Sequence, residues 1–131
     1  MVDYSFERAV TPEDLQPLLR QTGWAHDRDL DGIQRMLDAT PVMLGAWADG
    51  RLVGYARAIT DGVYRALIDD VVVDEARRKA GIGSEVMRRL VARLREMHIE
   101  EVFLRCGDTM EPFYARLGFS KSGGVLTMDL E

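Results

Sequence analysis

A chain of 131 residues, 47% hydrophobic and 30% charged, has the size and balance of one globular domain, and 12 Gly with 4 Pro are too few for a low-complexity or collagen-like chain. Acidic residues outnumber basic ones 22 to 17, and the resulting net charge of -5 disfavours polyphosphate backbones and anionic membranes as main partners. Cys106 alone cannot form an internal disulfide, and with two histidines it leaves too few soft ligands for a zinc cluster, so a metal-free, cytoplasmic protein is expected, with residues 1–131 in one domain and no targeting or membrane-spanning segment.

In chain order, Ser5–Val10 alternates weakly and reads as an opening strand. Thr11-Pro12-Glu13-Asp14 has the chemistry of a helix start: Thr caps, Pro suits the first helical position, and the acids favour the positive end of the dipole. Leu15, Leu18 and Leu19 recur at helical spacing before Gly23, which predicts a first helix over residues 12–22. Asp29 or Asp31 caps a second short helix carrying Ile33, Met36 and Leu37, and Pro41 stops it by lacking a backbone donor.

Val42–Ala48 and Leu52–Thr60 are apolar, β-leaning runs joined through Asp49-Gly50, a dipeptide that accepts positive φ at both positions of a tight hairpin. A second Asp-Gly, Asp61-Gly62, precedes Tyr64–Val73, whose continuous apolar end, Val71-Val72-Val73, predicts a central strand buried on both faces. From Ser84 to Met97 the residues Val86, Met87, Leu90, Val91, Leu94 and Met97 follow the 3.6-residue period with arginines largely opposite, the clearest helix in the chain. Ile99–Arg105 reads as a strand parallel to the one before the helix, Pro112–Leu117 as a short helix and Val125–Leu130 as a last strand. A hairpin meander followed by one βαβ crossover is an α+β arrangement around a mixed sheet.

The stretch from Val71 to Ser84 runs from a buried strand through a basic, glycine-containing turn into a helix. The first N–H groups of a helix have no internal partner, the dipole adds positive potential, and Gly81 and Gly83 let the backbone approach an anion closely, with Arg77, Arg78 and Lys79 adding charge. The spacing matches neither the nucleoside triphosphate loop nor the dinucleotide fingerprint, and by itself it equally describes an ordinary strand-to-helix connection.

Arg78-Lys79-Ala80-Gly81-Ile82-Gly83 resembles the (Arg/Gln)-x-x-Gly-x-(Gly/Ala) loop with which the GNAT superfamily of N-acetyltransferases holds the pyrophosphate of acyl-CoA. Phe113-Tyr114-Ala115-Arg116-Leu117-Gly118-Phe119 is similar to the F-Y-x-x-L-G-F ending of the same superfamily, in the same order and spacing, and the succession of elements agrees over nearly the whole chain. The resemblance implies a mixed, mostly antiparallel sheet of six to seven strands flanked by about four helices. It further implies acetyl-CoA as cofactor, with backbone groups of Val71, Val72 and Val73 pairing with pantetheine and Arg78, Lys79, Ala80, Gly81, Ile82, Gly83 and Ser84 holding the pyrophosphate.

Tyr114 stands where the family commonly has a tyrosine near the thioester sulfur, as an acid for the departing thiolate; a packed aromatic is the structural alternative. Asp69 and Asp70 are the nearest candidates to take the proton of the amine, and a bulge in their strand would change which of them faces the site. The family's usual asparagine after the fifth strand is replaced by Gly107, with Asp108 or Thr109 as substitutes. Trp24, Tyr55 and Tyr64, with His26, Asp27 and Arg57, are candidate substrate contacts, and Cys106 reads as a buried structural thiol in preference to an acyl carrier. The expected reaction is acetyl transfer to a primary amine of a small molecule by direct attack on the thioester, in a protein that forms a homodimer as its relatives commonly do. Acetylation of a protein or peptide, or a non-catalytic acyl-CoA-binding module, are the alternatives.

Overall fold

The computed structural model of the protein describes residues 1–130. One sheet carries five strands in the order β1 (Asp3–Ser5), β2 (Val42–Ala48), β3 (Arg51–Thr60), β4 (Arg65–Val73) and β5 (Glu101–Phe103). Neighbours are antiparallel up to β4, whereas β5 lies parallel to β4 because a helical crossover separates them. The helices are α1 (Pro12–Leu19), α2 (Leu30–Ala39), α3 (Ile82–Glu96) and α4 (Glu111–Arg116). The mixed sheet and four helices agree with the sequence reading, but five strands stand where six to seven were expected.

Two cores sandwich the sheet. On one face Leu15, Leu18 and Leu19 of α1 and Ile33 and Leu37 of α2 pack against Trp47, Tyr55 and Val72. On the other, Val86, Met87, Leu90 and Leu94 of α3 cover a floor of small residues, Ala46, Ala56, Ala58 and Ala66, joined by Tyr114 of α4. Each fully buried Leu contributes about 2 kcal/mol of transfer free energy to this arrangement. Gly54 lets α3 come this close, since a Cβ there would stand 3.0 Å from the Ile82 Cγ2 and 3.2 Å from the Ala46 Cβ. The apolar run Val71–Val73 is wedged between both cores, Val72 facing α1 and α2 and its neighbours facing α3.

Local chemistry sets the element ends and corrects several expected ones. The opening strand is Asp3–Ser5, not Ser5–Val10, because the Ser5 hydroxyl accepts the amides of Glu7 and Arg8 and turns the chain. Thr11 and Asp14 form a reciprocal capping box with Pro12 in the first turn. The helix they start ends at Leu19, short of 22, where the Thr22 hydroxyl takes the Leu19 carbonyl at 2.7 Å. Asp29 caps α2 through the Gly32 amide at 2.7 Å, and Asp31 instead pairs with Arg35. Asp49 and Gly50 both have positive φ, 52° and 75°, as the hairpin reading requires. Asp61 accepts the amides of Val63 and Tyr64, so β4 starts at Arg65. At the other end of the chain, Val125–Leu130 forms no strand among the described residues, because no ladder of backbone hydrogen bonds holds it to the sheet.

Candidate active site

The ladder between β4 and β5 covers only Arg65–Leu67 against Glu101–Phe103. Beyond it the parallel strands part, and a cleft of about 1110 Å³ opens between Ile68–Val73 on one side and Leu104–Gly107 on the other. The β4 edge facing this cleft has no strand partner past Leu67, so apart from the Val73 carbonyl, which takes Arg78 Nε, its backbone groups can pair with an extended ligand.

A bulge governs what the cleft meets. Tyr55 of β3 pairs with Val72 and Arg57 with Asp69, so two residues of β4, Asp70 and Val71, oppose the single Ala56. Asp70 takes up the extra length in the left-handed region, at φ 52°, which Asp tolerates better than most residues. Simple alternation would send Asp69 and Asp70 to opposite faces; the bulge brings both to the Arg57 side chain.

Asp70 has no exposed side-chain surface. Arg28 Nη1 and Arg57 Nε donate to its Oδ2 at 2.9 and 2.8 Å, and Trp24 Nε1 donates to its Oδ1 at 3.1 Å. Burial alone would raise its pKa, but the hydrogen bonds and charges of Arg28 and Arg57 outweigh that and hold the carboxyl below its ordinary value. Asp69 is 37% exposed, 3.6 Å from Arg57 Nη2, and lies on the cleft wall. Arg57 also donates to the Thr40 hydroxyl at 3.3 Å, so one guanidinium orders the end of α2 and both aspartates.

At the far end of the cleft, β4 leads into a single turn, Glu75–Arg77, and then a loop before α3. Lys79 and Gly81 have φ of 68° and 84°, a pair of left-handed residues that aims the following amides into the cleft mouth. The first intrahelical bond runs from the Glu85 amide to the Gly81 carbonyl, leaving the amides of Ile82, Gly83 and Ser84 ahead of it without a helical acceptor. Arg77 pairs with Asp49 at 3.1 Å and Arg78 Nε donates to the Val73 carbonyl at 3.3 Å, so the basic residues are anchored at the rim. A Cβ on Gly83 would touch Val73 and Phe113 at 3.5 and 3.6 Å, ordinary contact that a larger side chain would exceed.

Tyr114 reaches the same cleft from α4, set edge-on against Phe113 and Phe119 with ring centroids 5.0 and 6.1 Å away. Burial, with a smaller contribution from Cys106, pushes its phenol up to about 12. Cys106 is exposed on the cleft wall and not a buried thiol. Gly107 lines the cleft, whereas Asp108 and Thr109 sit in the turn behind it, outside its walls.

The structure thus gathers Trp24, Asp69, Asp70, Val71–Val73, Arg78, Lys79, Gly81–Ser84 and Tyr114 around one cleft. Ala80 is not among its walls; Tyr55 is fully buried with its hydroxyl on the Met43 sulfur; Tyr64 stands exposed at the β3–β4 turn, and His26 and Asp27 face solvent. Sequence reasoning missed Arg28 and Gln21. The Gln21 amide spans the loop after β4, accepting the Glu75 amide at 2.9 Å and donating to Asp74 at 3.4 Å. Neither carries a local signal, since both act across more than 40 positions of chain.

No helix among the described residues is long and apolar enough to cross a membrane. The sequence profile of the acetyltransferase (GNAT) family matches residues 6–119. An uncharacterized N-acetyltransferase ycf52-like protein of Prochlorococcus marinus is 29% identical over 121 residues, covering 89% of this chain and 67% of that one. The chloroplastic serotonin N-acetyltransferase 2 of rice is 42% identical over 71 residues, 54% of this chain and 36% of its own length. The chain spans between about a third and two thirds of the curated relatives it matches. Among solved structures, a candidate acetyltransferase of Deinococcus radiodurans superposes with a TM-score of 0.83 at 30% identity, over 97% of this chain and 87% of that one. The glucosamine-6-phosphate N-acetyltransferase of Arabidopsis thaliana shares the fold at 18% identity, with a TM-score of 0.81 over 100% of this chain and 99% of its own. With its parted parallel strands, its glycine-bearing loop at the start of α3 and a profile match over most of its length, the chain belongs to the GNAT family of acetyltransferases.

Proposed function

We propose that the protein transfers the acetyl group of acetyl-CoA to the primary amine of a small molecule. The observation that carries this reading is the bulge at Asp70, which joins the open edge of β4, the loop amides and an aspartate pair in one cleft that Tyr114 also lines. The residues present fit the cofactor: unpaired strand groups suit the amide-rich pantetheine arm, and three helix-start amides with cations at the rim suit a pyrophosphate. When bound, acetyl-CoA supplies an acyl group activated as a thioester.

The chain then has three tasks. Its loop and β4 edge hold the acyl donor in place, which converts a bimolecular encounter into a local one. Asp70 is committed to two arginines and an indole, so it fixes the wall and does not accept protons. Asp69, the more exposed carboxylate, meets the ammonium of the acceptor and connects it to solvent, where the proton is finally released. The indole of Trp24, 59% exposed beside this pair, offers an apolar face for the remainder of the acceptor. An arylalkylamine suits that pairing, and the rice relative is named for one, serotonin.

Thiol release from acetyl-CoA, followed across arylalkylamines, polyamines, amino acids, aminoglycosides and short peptides with CoA binding measured in parallel, tests the reading. Amine-dependent release with one class of small acceptor is expected. Release with peptides alone would replace it by protein acetylation, and tight CoA binding without release by any amine would replace it by a binding module.

Two substitutions probe the parts. Asp69→Asn is expected to raise the KM for the amine about two- to fivefold, the loss of one partly screened ion pair, while the Kd for CoA stays unchanged by calorimetry. Gly81→Ala forces a side chain into the left-handed region at the start of α3, so a melt should show a loss of about 1 kcal/mol and CoA affinity should fall.

A further inference from the structure

We propose, resting on the acetyl-transfer reading of this cleft, that Arg28 is a positioning residue for the acceptor. It ties the loop between α1 and α2 to Asp70 and so holds the Trp24 indole beside Asp69, which makes the site select amines with an aromatic body over aliphatic ones.

The loop over residues 20–29 is fixed at its base. Ala25 is buried among the apolar residues of α1 and α2, and Gln16 Nε2 donates to the Arg28 carbonyl at 3.2 Å. Its crest is not packed in the same way: a Cβ on Gly23 would meet nothing within 4 Å, and the Trp24 ring is largely exposed. What lays the crest on the sheet is Asp70. Trp24 Nε1 donates to its Oδ1 and Arg28 Nη1 to its Oδ2, so both ends of the turn 24–28 land on the two oxygens of one buried carboxylate. The bond from the guanidinium is ionic on both sides and is the stronger of the two ties. A single bond from the indole would have to order a large exposed ring against its rotamer entropy without that support.

Arg57 bears on the same Oδ2, but from β3, where it is part of the sheet whether or not the loop is in place. Loss of Arg28 therefore leaves Asp70 paired and the bulge intact, and costs the fold much less than loss of Asp70 itself. Arg28, 34% exposed and carried by the loop, adds what Arg57 cannot: a link between the sheet and the residues on the acceptor side of the cleft. Charge and packing then act in opposite directions. Two arginines and two aspartates balance around the bulge, so removing Arg28 leaves a net negative charge where an ammonium docks, which draws any cation more strongly. A released indole, in contrast, no longer presents its face to an aromatic body. A change of preference between amines, and not a uniform loss, is thus the mark of positioning.

Acetyl transfer to phenethylamine, an arylalkylamine, and putrescine, an aliphatic diamine, is compared in the full chain and its variants, with acrylamide quenching of tryptophan emission measured alongside. Trp47 is 4% exposed, so the quenchable emission belongs to Trp24, and Trp24→Leu identifies it. Arg28→Met keeps the length of the stem and loses the donor. It is expected to increase the quenching of Trp24 and to lower the ratio of kcat/KM for phenethylamine to that for putrescine about fivefold, through KM, with the Kd for CoA unchanged. Arg28→Lys restores one ionic hydrogen bond to Asp70, and with it the parent ratio and quenching. Trp24→Leu removes the aromatic face, leaves both arginines in place and should reproduce the fall in the ratio. Equal losses for both amines, no rescue by Arg28→Lys, an unchanged ratio in Trp24→Leu, or unchanged quenching in Arg28→Met would each overturn the proposal. Thiol release with no amine at all would overturn the transfer reading and the acceptor role with it, while increased quenching in Arg28→Met would still establish the tie between Arg28 and the indole.

Discussion

Asp70→Asn is expected to destabilise the protein by about 3 kcal/mol at pH 7, the largest effect of any single polar substitution in the site. The replacement keeps the shape and is tolerated at φ 52°, so backbone strain is not the reason. What it removes is the negative charge between Arg28 and Arg57; it leaves the Arg57 guanidinium, itself only 11% exposed, facing an amide. Breaking one side of a buried ion pair in this way costs roughly 3–5 kcal/mol, more than the pair itself contributes, because the surviving charge stays desolvated. Asp69, at 3.6 Å, is too far from Arg57 and too exposed to compensate. Chemical denaturation of Asp70→Asn against the parent chain checks it; a loss below about 1 kcal/mol would mean that water replaces the carboxylate.

The same charge sets an acid limit. A carboxyl whose folded pKa is depressed contributes stability that is fully present above its unfolded value, about 3.9, and is lost as pH falls through the folded value. Stability of the parent chain should therefore drop below about pH 5, in part through Asp70. Asp61 and Glu85 are also depressed, by backbone amides and by Arg89 respectively, and they contribute to the slope in both proteins. The difference between parent and Asp70→Asn isolates Asp70: it should shrink steadily from pH 5 downward, and a difference independent of pH would contradict the ion-pair account.

How far the sequence led is clearest at β4. The apolar run 71–73 placed the strand to within a residue and the basic loop after it placed the helix start to within two, because burial and helix-end chemistry are local in the chain. The parity of Asp69 and Asp70 was not legible, since it depends on one unpaired residue whose position is decided by the partner strand β3. Tyr55 read as a candidate substrate contact on the meander; the packing of α1 and α2 over that face buries it. Arg28 offered no signal at all, being an arginine in a polar loop whose partner lies 42 positions away. The last strand failed for another reason: a period-two pattern specifies an inward face without specifying a partner strand, and no ladder forms along Val125–Leu130.

Tyr114→Phe is expected to lower kcat by roughly 10- to 100-fold while leaving the Kd for CoA and the melting temperature nearly unchanged, which separates the phenol's chemistry from its packing. The ring stays edge-on to Phe113 and Phe119 in either protein, so the core loses only a hydroxyl. Its pKa, pushed up to about 12 by burial, keeps the phenol protonated throughout the working range. A thiol has an ordinary pKa near 8.5, so complete transfer of the phenolic proton to a thiolate would run uphill by some three units; on the proposed reading Tyr114 would instead donate a hydrogen bond to the departing sulfur. A hydrogen bond to a developing charge contributes roughly 1.5–3 kcal/mol, which is the predicted fold-change. The pH dependence follows from the same value. Ionisation of Tyr114 falls near pH 12, so turnover should show no alkaline limb from this group up to about pH 10. A limb near pH 9 that disappears in Tyr114→Phe would refute the assignment. Cys106→Ser supplies the complementary control: Cys106 raises the Tyr114 pKa only secondarily, so turnover should survive its replacement, whereas loss of activity would point to an acyl-cysteine route in place of direct attack.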